Sequence, residues 1–234
     1  PSLKGQPTDP KRFDELDLQV RETSYGRSGF ALQYMLDTRL SDKDRYPLKV
    51  SDLIITSVNP EYAPEKIIWA SSPEQKINDL TCVAMNGDHF HRPIENPEIK
   101  VDWIPYQGSV LIIDPSGRGA DETAYAVIKM LNGQLFVSAL GGTKGGYEKE
   151  TLQGLAVIAK KHMVNKIVVE SNFGDGMFTQ LLTPVMNRIH KVEIEEIRHS
   201  IQKEKRIIDT LEPVMNSHKL IIDRKVIEQD YKST

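Results

Sequence analysis

The second half of the chain is organised by short, continuous apolar runs, two of which close on a carboxylate. Ser109–Asp114 (SVLIID) and Lys166–Glu170 (KIVVE) have the length and uniform hydrophobicity of strands buried within a sheet. A glycine-rich loop, Pro115–Glu122, follows the first and leads into a predicted strand over Thr123–Met130. Asn132-Gly133 turns the chain into a third, Gln134–Leu140. Gly141–Gly146 reads as a flexible link into a helix over Tyr147–His162. After Lys166–Glu170 the pattern alternates: a helix over Asp175–Arg188, strand Lys191–Ile197, a helix over Ser200–Asn216 and a short strand Lys219–Ile222. Three strands joined by tight turns, then helix and strand in alternation, predict an α/β domain with a mixed sheet flanked by helices.

Upstream the pattern is weaker. Residues 1–27 read as loop with a short helix around Lys11–Leu18, and Ser28 is positioned to cap a helix reaching Asp37. Prolines 47, 60 and 64 break the next stretch. Two β-prone runs follow, Lys66–Ala70 and Leu80–Met85, with a turn signal at Asn86-Gly87. Residues 1–105 are therefore expected to form a small irregular appendage, and residues 106–234 the α/β domain.

Composition narrows the function classes. The 234 residues carry 30 basic and 33 acidic side chains, a formal net charge of −3, which does not suit a protein that coats nucleic acid by bulk charge. It leaves room for an enzyme that grips DNA through a local basic patch. No apolar run approaches the roughly 20 residues of a membrane-spanning helix, and the polar, turn-forming start is not a secretory signal. Cys82 stands alone, so no intrachain disulfide forms and a reducing compartment is expected. The chain opens on proline and stops at Thr234 without a terminal cap, as a fragment of a longer protein would.

Asp114 and Glu170 are the strongest chemical signal. Each ends an apolar strand, and functional groups in open α/β sheets gather at the carboxyl ends of strands. Two carboxylates converging there repel unless a cation lies between them, and oxygen donors suit Mg²⁺ or Mn²⁺. The plainer alternative is that each caps the next turn. The loop Asp114–Thr123 could wrap a phosphate, but no Walker sequence occurs anywhere. Asp175 is expected to be an N-cap, and His89 and His91 a surface pair. In the late helix, Ile201, Ile208, Leu211 and Met215 form an apolar stripe. Lys203 and Arg206 fall on its other side, free to meet a phosphate backbone.

Three segments carry a family resemblance: VLIIDPSGRGADETAYAVI (110–128), IVVESNFGDGMFTQLLTPVM (167–186) and QKEKRIIDTLEPVM (202–215). Together they resemble the nuclease domain of tailed-phage terminase large subunits, of the short-tailed phage type also called DNA maturase B. The third fits the family's K-x-x-R-I-x-x-L-x-P pattern through Lys203, Arg206, Ile207, Leu211 and Pro213. Residues 29–53 also resemble the stretch after the family's packaging ATPase, whose core would lie upstream, so ATP-driven translocation is not expected of this chain.

The resemblance implies an RNase H-like fold and an endonuclease that cuts concatemeric viral DNA during genome packaging, by two-metal-ion hydrolysis with Mg²⁺ or Mn²⁺. It implies Asp114 and Glu170 as metal-binding catalytic carboxylates, with Asp114 bridging. Its expected partners are double-stranded DNA, the portal, the small terminase subunit and other copies of the large subunit, in the host cytoplasm and away from membranes. The family's third carboxylate, in an Asp-Asp pair, has no counterpart here. It is expected beyond Thr234, with Asp223 the better substitute within the chain and Asp209 the poorer. Two rival classes remain at this stage: a nucleotide-binding domain like those of actin and sugar kinases, and a non-catalytic docking module of a packaging motor.

Overall fold

The computed structural model describes residues 7, 9–35, 47–82, 88–95, 100–116, 121–170, 176–198 and 203–233. The strands are β1 (Ile54–Thr56), β2 (Tyr62–Pro64), β3 (Trp103–Pro105), β4 (Gly108–Asp114), β5 (Glu122–Leu131), β6 (Gln134–Lys144), β7 (Lys166–Glu170), β8 (Glu193–Ile197) and β9 (Leu220–Asp223). The helices are α1 (Glu15–Gln33), α2 (Lys149–Lys161), α3 (Met177–Ile189), α4 (Lys203–Asn216) and α5 (Arg224–Ser233). Seven strands form one sheet in the order β1–β9–β6–β5–β4–β7–β8, and β2 pairs with β3 in a separate two-stranded antiparallel ribbon. Only β5 runs against the others, because β4–β5 and β5–β6 are antiparallel while every other pair in this sheet is parallel. The carboxyl ends of the other six strands therefore point the same way. This is the mixed sheet with flanking helices that the apolar runs predict.

Alternation along the strands divides the sheet into two faces. Leu111 and Ile113 of β4, Val127 of β5, and Ile167 and Val169 of β7 are buried on one face against α2 and α3, through Leu152, Leu155, Phe178, Leu182 and Met186. Val137 and Ile222 belong to a second cluster, closed by Leu211 and Met215 of α4. The extended chain before β4 supplies Leu53 and Phe90 to the same cluster. No helix among the described residues is long and apolar enough to cross a membrane.

Several expected boundaries move, each for a local reason. The expected link at Gly141–Gly146 is strand as far as Lys144. Glycine is tolerated there because Gly141 lies opposite Tyr125, whose hydroxyl would come within 2.8 Å of an added Cβ. The two expected helices before Asp37 are one interrupted helix. Asp14 caps it by accepting from the Asp17 N–H at 2.8 Å, and Gly26 breaks it at φ 70, ψ 169, a conformation open to glycine alone. Lys66–Ala70 forms no ladder; Ile67 and Trp69 pack their side chains against a core instead. Of the other β-prone run, Leu80–Cys82 is irregular, and the Asn86-Gly87 turn lies outside the described residues. Ile54–Thr56 joins the main sheet beside β9, so the sheet extends into residues 1–105.

Lys129 is an unusual core residue. It is 1% exposed, and its ammonium donates to Ser109 Oγ at 3.1 Å and to the carbonyl of His162 at the C-terminus of α2. Burial lowers its pKa to about 8, despite the nearby charge of Glu61. Between pH 8 and 10.5 the unfolded chain holds a proton that the folded chain has released, so this group adds stability as pH rises through that window. The expected outcome is that the stability of the wild type, measured by denaturant unfolding relative to Lys129→Met, rises from pH 8 to 10.5. A difference that stays flat would assign Lys129 an ordinary pKa.

Candidate metal centre

The register of two parallel strands builds the site. Val110 pairs with Lys166 and Ile113 with Val169, so Asp114 and Glu170 leave neighbouring strands at the same level, about 4.8 Å apart in strand spacing. Because Ile113 and Val169 turn inward to α2 and α3, the residues that follow them turn to the opposite face. Asp114 is exposed, and Glu170 keeps 16% of its side-chain surface. The structure thus brings these two predicted carboxylates together.

The loop leaving Asp114 is pinned at its base. The Ser116 N–H donates to Thr123 Oγ1 at 3.1 Å, and Thr123 Oγ1 donates to the Gly145 carbonyl at 3.2 Å. Thr151 of α2 donates to the same carbonyl at 3.1 Å. Gly145 has φ +97, and a Cβ there would strike the Glu148 carboxylate at 2.8 Å. Sequence reasoning missed this small hydroxyl network; its available signal was a serine and a threonine flanking a glycine-rich loop. Residues 117–120 and 171–175, which include Asp175, lie outside the described residues. The N-cap of α3 is Gly176, in the left-handed conformation, and not the expected Asp175.

Arg206 was expected on the side of its helix away from the apolar stripe, free to meet a phosphate backbone. Its Nη2 lies 3.6 Å from Glu170 Oε1 and its side chain is only 24% exposed. The apolar stripe of α4 packs on the sheet through Leu211 and Met215, which carries the start of the helix to the end of β7. A long side chain leaving the edge of the stripe then meets the site rather than water. Lys203 opens the same helix.

Asp223 is elsewhere. β9 is separated from β4 by β6 and β5, about 14 Å at ~4.8 Å per step. Asp223 is also level with Ser138, whereas Asp114 is level with Gly142, roughly 13 Å further along at ~3.3 Å per residue. It is 7% exposed and accepts from the Lys225 N–H at 3.1 Å, as a helix cap does at the start of α5. Its charge, after burial, helps push the Tyr106 hydroxyl up to about 12. Asp209 of α4 is exposed. His91 is not on the surface: it is 7% exposed, with Nδ1 3.2 Å from the Ser51 carbonyl and its ring edge-on to Trp69. Among the described residues no group of three His, Cys, Asp or Glu side chains could hold a metal ion. A cavity of about 590 Å³ lies at the β1 edge, among Val58, Tyr62, Trp103 and Phe136, and includes neither Asp114 nor Glu170.

The donor chemistry fits a hard divalent cation: two carboxylates on one sheet face at the strand ends, one of them open to water. Residues 113–220 match the family model described as Terminase Bacteriophage T7, Ribonuclease H-like domain. These residues are a terminase RNase H-like domain. Over 231 residues, 99% of its length, the chain is 44% identical to the terminase large subunit of Enterobacteria phage T3, and it spans 39% of that relative. Among solved structures, the human cytomegalovirus terminase nuclease domain, soaked in manganese with an inhibitor bound, aligns at a TM-score of 0.40 and 11% identity. That alignment covers 54% of this chain and 73% of the other. The nuclease domain of the bacteriophage Sf6 large terminase subunit aligns at 0.39 and 12%, over 54% and 70% of the two chains.

The position of Asp223 generates a direct test. Asp223→Ala is expected to cost about 1 kcal/mol of stability through loss of the α5 cap, read by chemical denaturation, and to leave Mn²⁺ affinity unchanged. A loss of Mn²⁺ binding in this variant would return Asp223 to the metal site.

Proposed function

We propose that this chain carries the nuclease of a viral terminase large subunit, a Mg²⁺- or Mn²⁺-dependent endonuclease that cuts concatemeric DNA during genome packaging. The observation that carries this reading is the pairing of Asp114 and Glu170 at adjacent parallel strand ends, within residues of the terminase RNase H-like family. Asp114 and Glu170 are the residues that would hold the metal. When bound, the metal supplies charge neutralisation at the phosphodiester and a water of lowered pKa. Asp114, the more open of the two, faces the substrate side, while Glu170 is held against α4. Lys203 and Arg206 contact phosphate oxygens, which orients the duplex without reading its sequence. The duplex then needs little from the protein beyond position and compensation of charge.

Residues 106–234 form the catalytic unit in this reading, and residues 1–105 brace its sheet through β1. Double-stranded DNA is the substrate. The portal, the small terminase subunit and further large-subunit copies are the assembly partners, in the host cytoplasm where packaging occurs.

Asp114→Asn is expected to lower Mn²⁺-dependent nicking of plasmid DNA by about 100-fold or more. Its unfolding midpoint should stay unchanged or rise, because one of two neighbouring negative charges is removed. Full nicking activity in that variant would take Asp114 out of the reaction. For the DNA contacts, Lys203→Ala is expected to weaken binding to unrelated duplexes equally and to reduce the slope of log K against log salt by about one unit. An unchanged slope, measured by fluorescence anisotropy across a salt series, would leave Lys203 as a solvated surface group.

A further inference from the structure

The ion pair at Glu170 is a poor fit for a purely structural salt bridge. At 3.6 Å between Nη2 and Oε1 it is longer than the 2.7–2.9 Å of a formed charge-assisted hydrogen bond, so attraction and not a locked geometry holds it. Both side chains are largely shielded, at 24% and 16% exposed, so solvent screens the attraction only in part. The other terminal nitrogen of Arg206, Nη1, is buried and has no hydrogen-bond partner among the described residues. A guanidinium cannot shed its proton to escape this arrangement, and a buried donor left unfilled in a native fold calls for an explanation, which an incoming anion supplies. Meanwhile two carboxylates at adjacent strand ends require positive charge nearby whether or not a metal is bound.

We propose that Arg206 is a place-holder for the metal. Its guanidinium supplies the positive charge at Glu170 until a divalent cation arrives, and the cation displaces it from Oε1. The released side chain, still anchored on α4, then turns both terminal nitrogens toward an incoming phosphate oxygen. No covalent bond is made or broken and no proton moves; one cation replaces another at a carboxylate. This inference rests on the metal-dependent nuclease reading and adds a competition within the site. Metal and arginine hold the same carboxylate in turn, so Arg206 weakens metal binding to the free protein.

The competition is measured with Mn²⁺ alone, without DNA, by counting free Mn²⁺ from its electron paramagnetic resonance signal in titrations of the whole chain. Four proteins are compared: wild type, Arg206→Gln, Arg206→Lys and Glu170→Gln, each checked for an intact unfolding transition. Arg206→Gln is expected to bind Mn²⁺ about three- to tenfold more tightly, the size of one modest, partly shielded ion pair. Arg206→Lys keeps the charge but shortens the reach and removes the fork, so it too should bind more tightly than wild type. Glu170→Gln should lose most Mn²⁺ binding. Tightening in the glutamine variant alone would be a general charge effect and would overturn the place-holder role. Unchanged or weaker binding in the glutamine variant would overturn it as well, making Arg206 a residue that orients Glu170. If Glu170→Gln bound Mn²⁺ like wild type, the metal-site reading itself would fail, a result distinct from either of those.

Discussion

Two like charges held side by side set the terms for this structure. The pairing of β4 with β7 is fixed by the face that packs under α2 and α3: Leu111, Ile113, Ile167 and Val169 are each 1% exposed or less. A slip of one residue in either strand would turn a carboxylate into that core and an aliphatic side chain out of it, a cost no short strand could bear. Hydrophobic packing on one face thereby holds the repulsion on the other. The antiparallel excursion of β5 leaves the remaining strands pointing one way, which keeps that end of the sheet available for function.

The opposite face supplies the counter-charge. α4 lies where its stripe closes the cluster of Val137 and Ile222, and its first turns bring Arg206 to Glu170. Packing and electrostatics are therefore joined in one helix. Gly26 continues the same logic into α1: its φ 70, ψ 169 is open to glycine alone, and the kink it makes sets the helix beside Glu212 of α4.

The sheet core and the two carboxylates were legible because they rest on the strongest local signal, an uninterrupted apolar run closed by a charged residue. What escaped has a physical pattern. The end of β6 carries Gly141 and Gly142, which lower strand propensity but leave room for Tyr125 and Glu122 on the neighbouring strand. β1 is three residues long, and its pairing partner lies near the other end of the chain. The contact of Arg206 with Glu170 was not legible, because a helical wheel distinguishes stripe from solvent and does not show that the helix end adjoins the strand ends. Asp223 resembles Asp114 in sequence, since both close apolar runs. The order of the strands and their register separate the helix cap at the end of β9 from the carboxylate at the end of β4.

That distant pairing of β1 also governs how the molecule is made. Ile54 and Ile55, fully or almost fully buried in the finished sheet, find their partners Ile221 and Ile222 only after roughly 170 further residues have been synthesised. The stacking of Trp69 on His218 and the ion pair of Asp79 with Arg224 wait for the same late segment. At ~5–20 residues per second a ribosome takes roughly ten to thirty seconds to deliver it. Throughout that interval the early segment carries apolar side chains without their ladder. Closing so long a loop is also the slowest kind of contact a chain can make. The sheet completes this edge late, and the segment most exposed to misassembly is translated well before its partner.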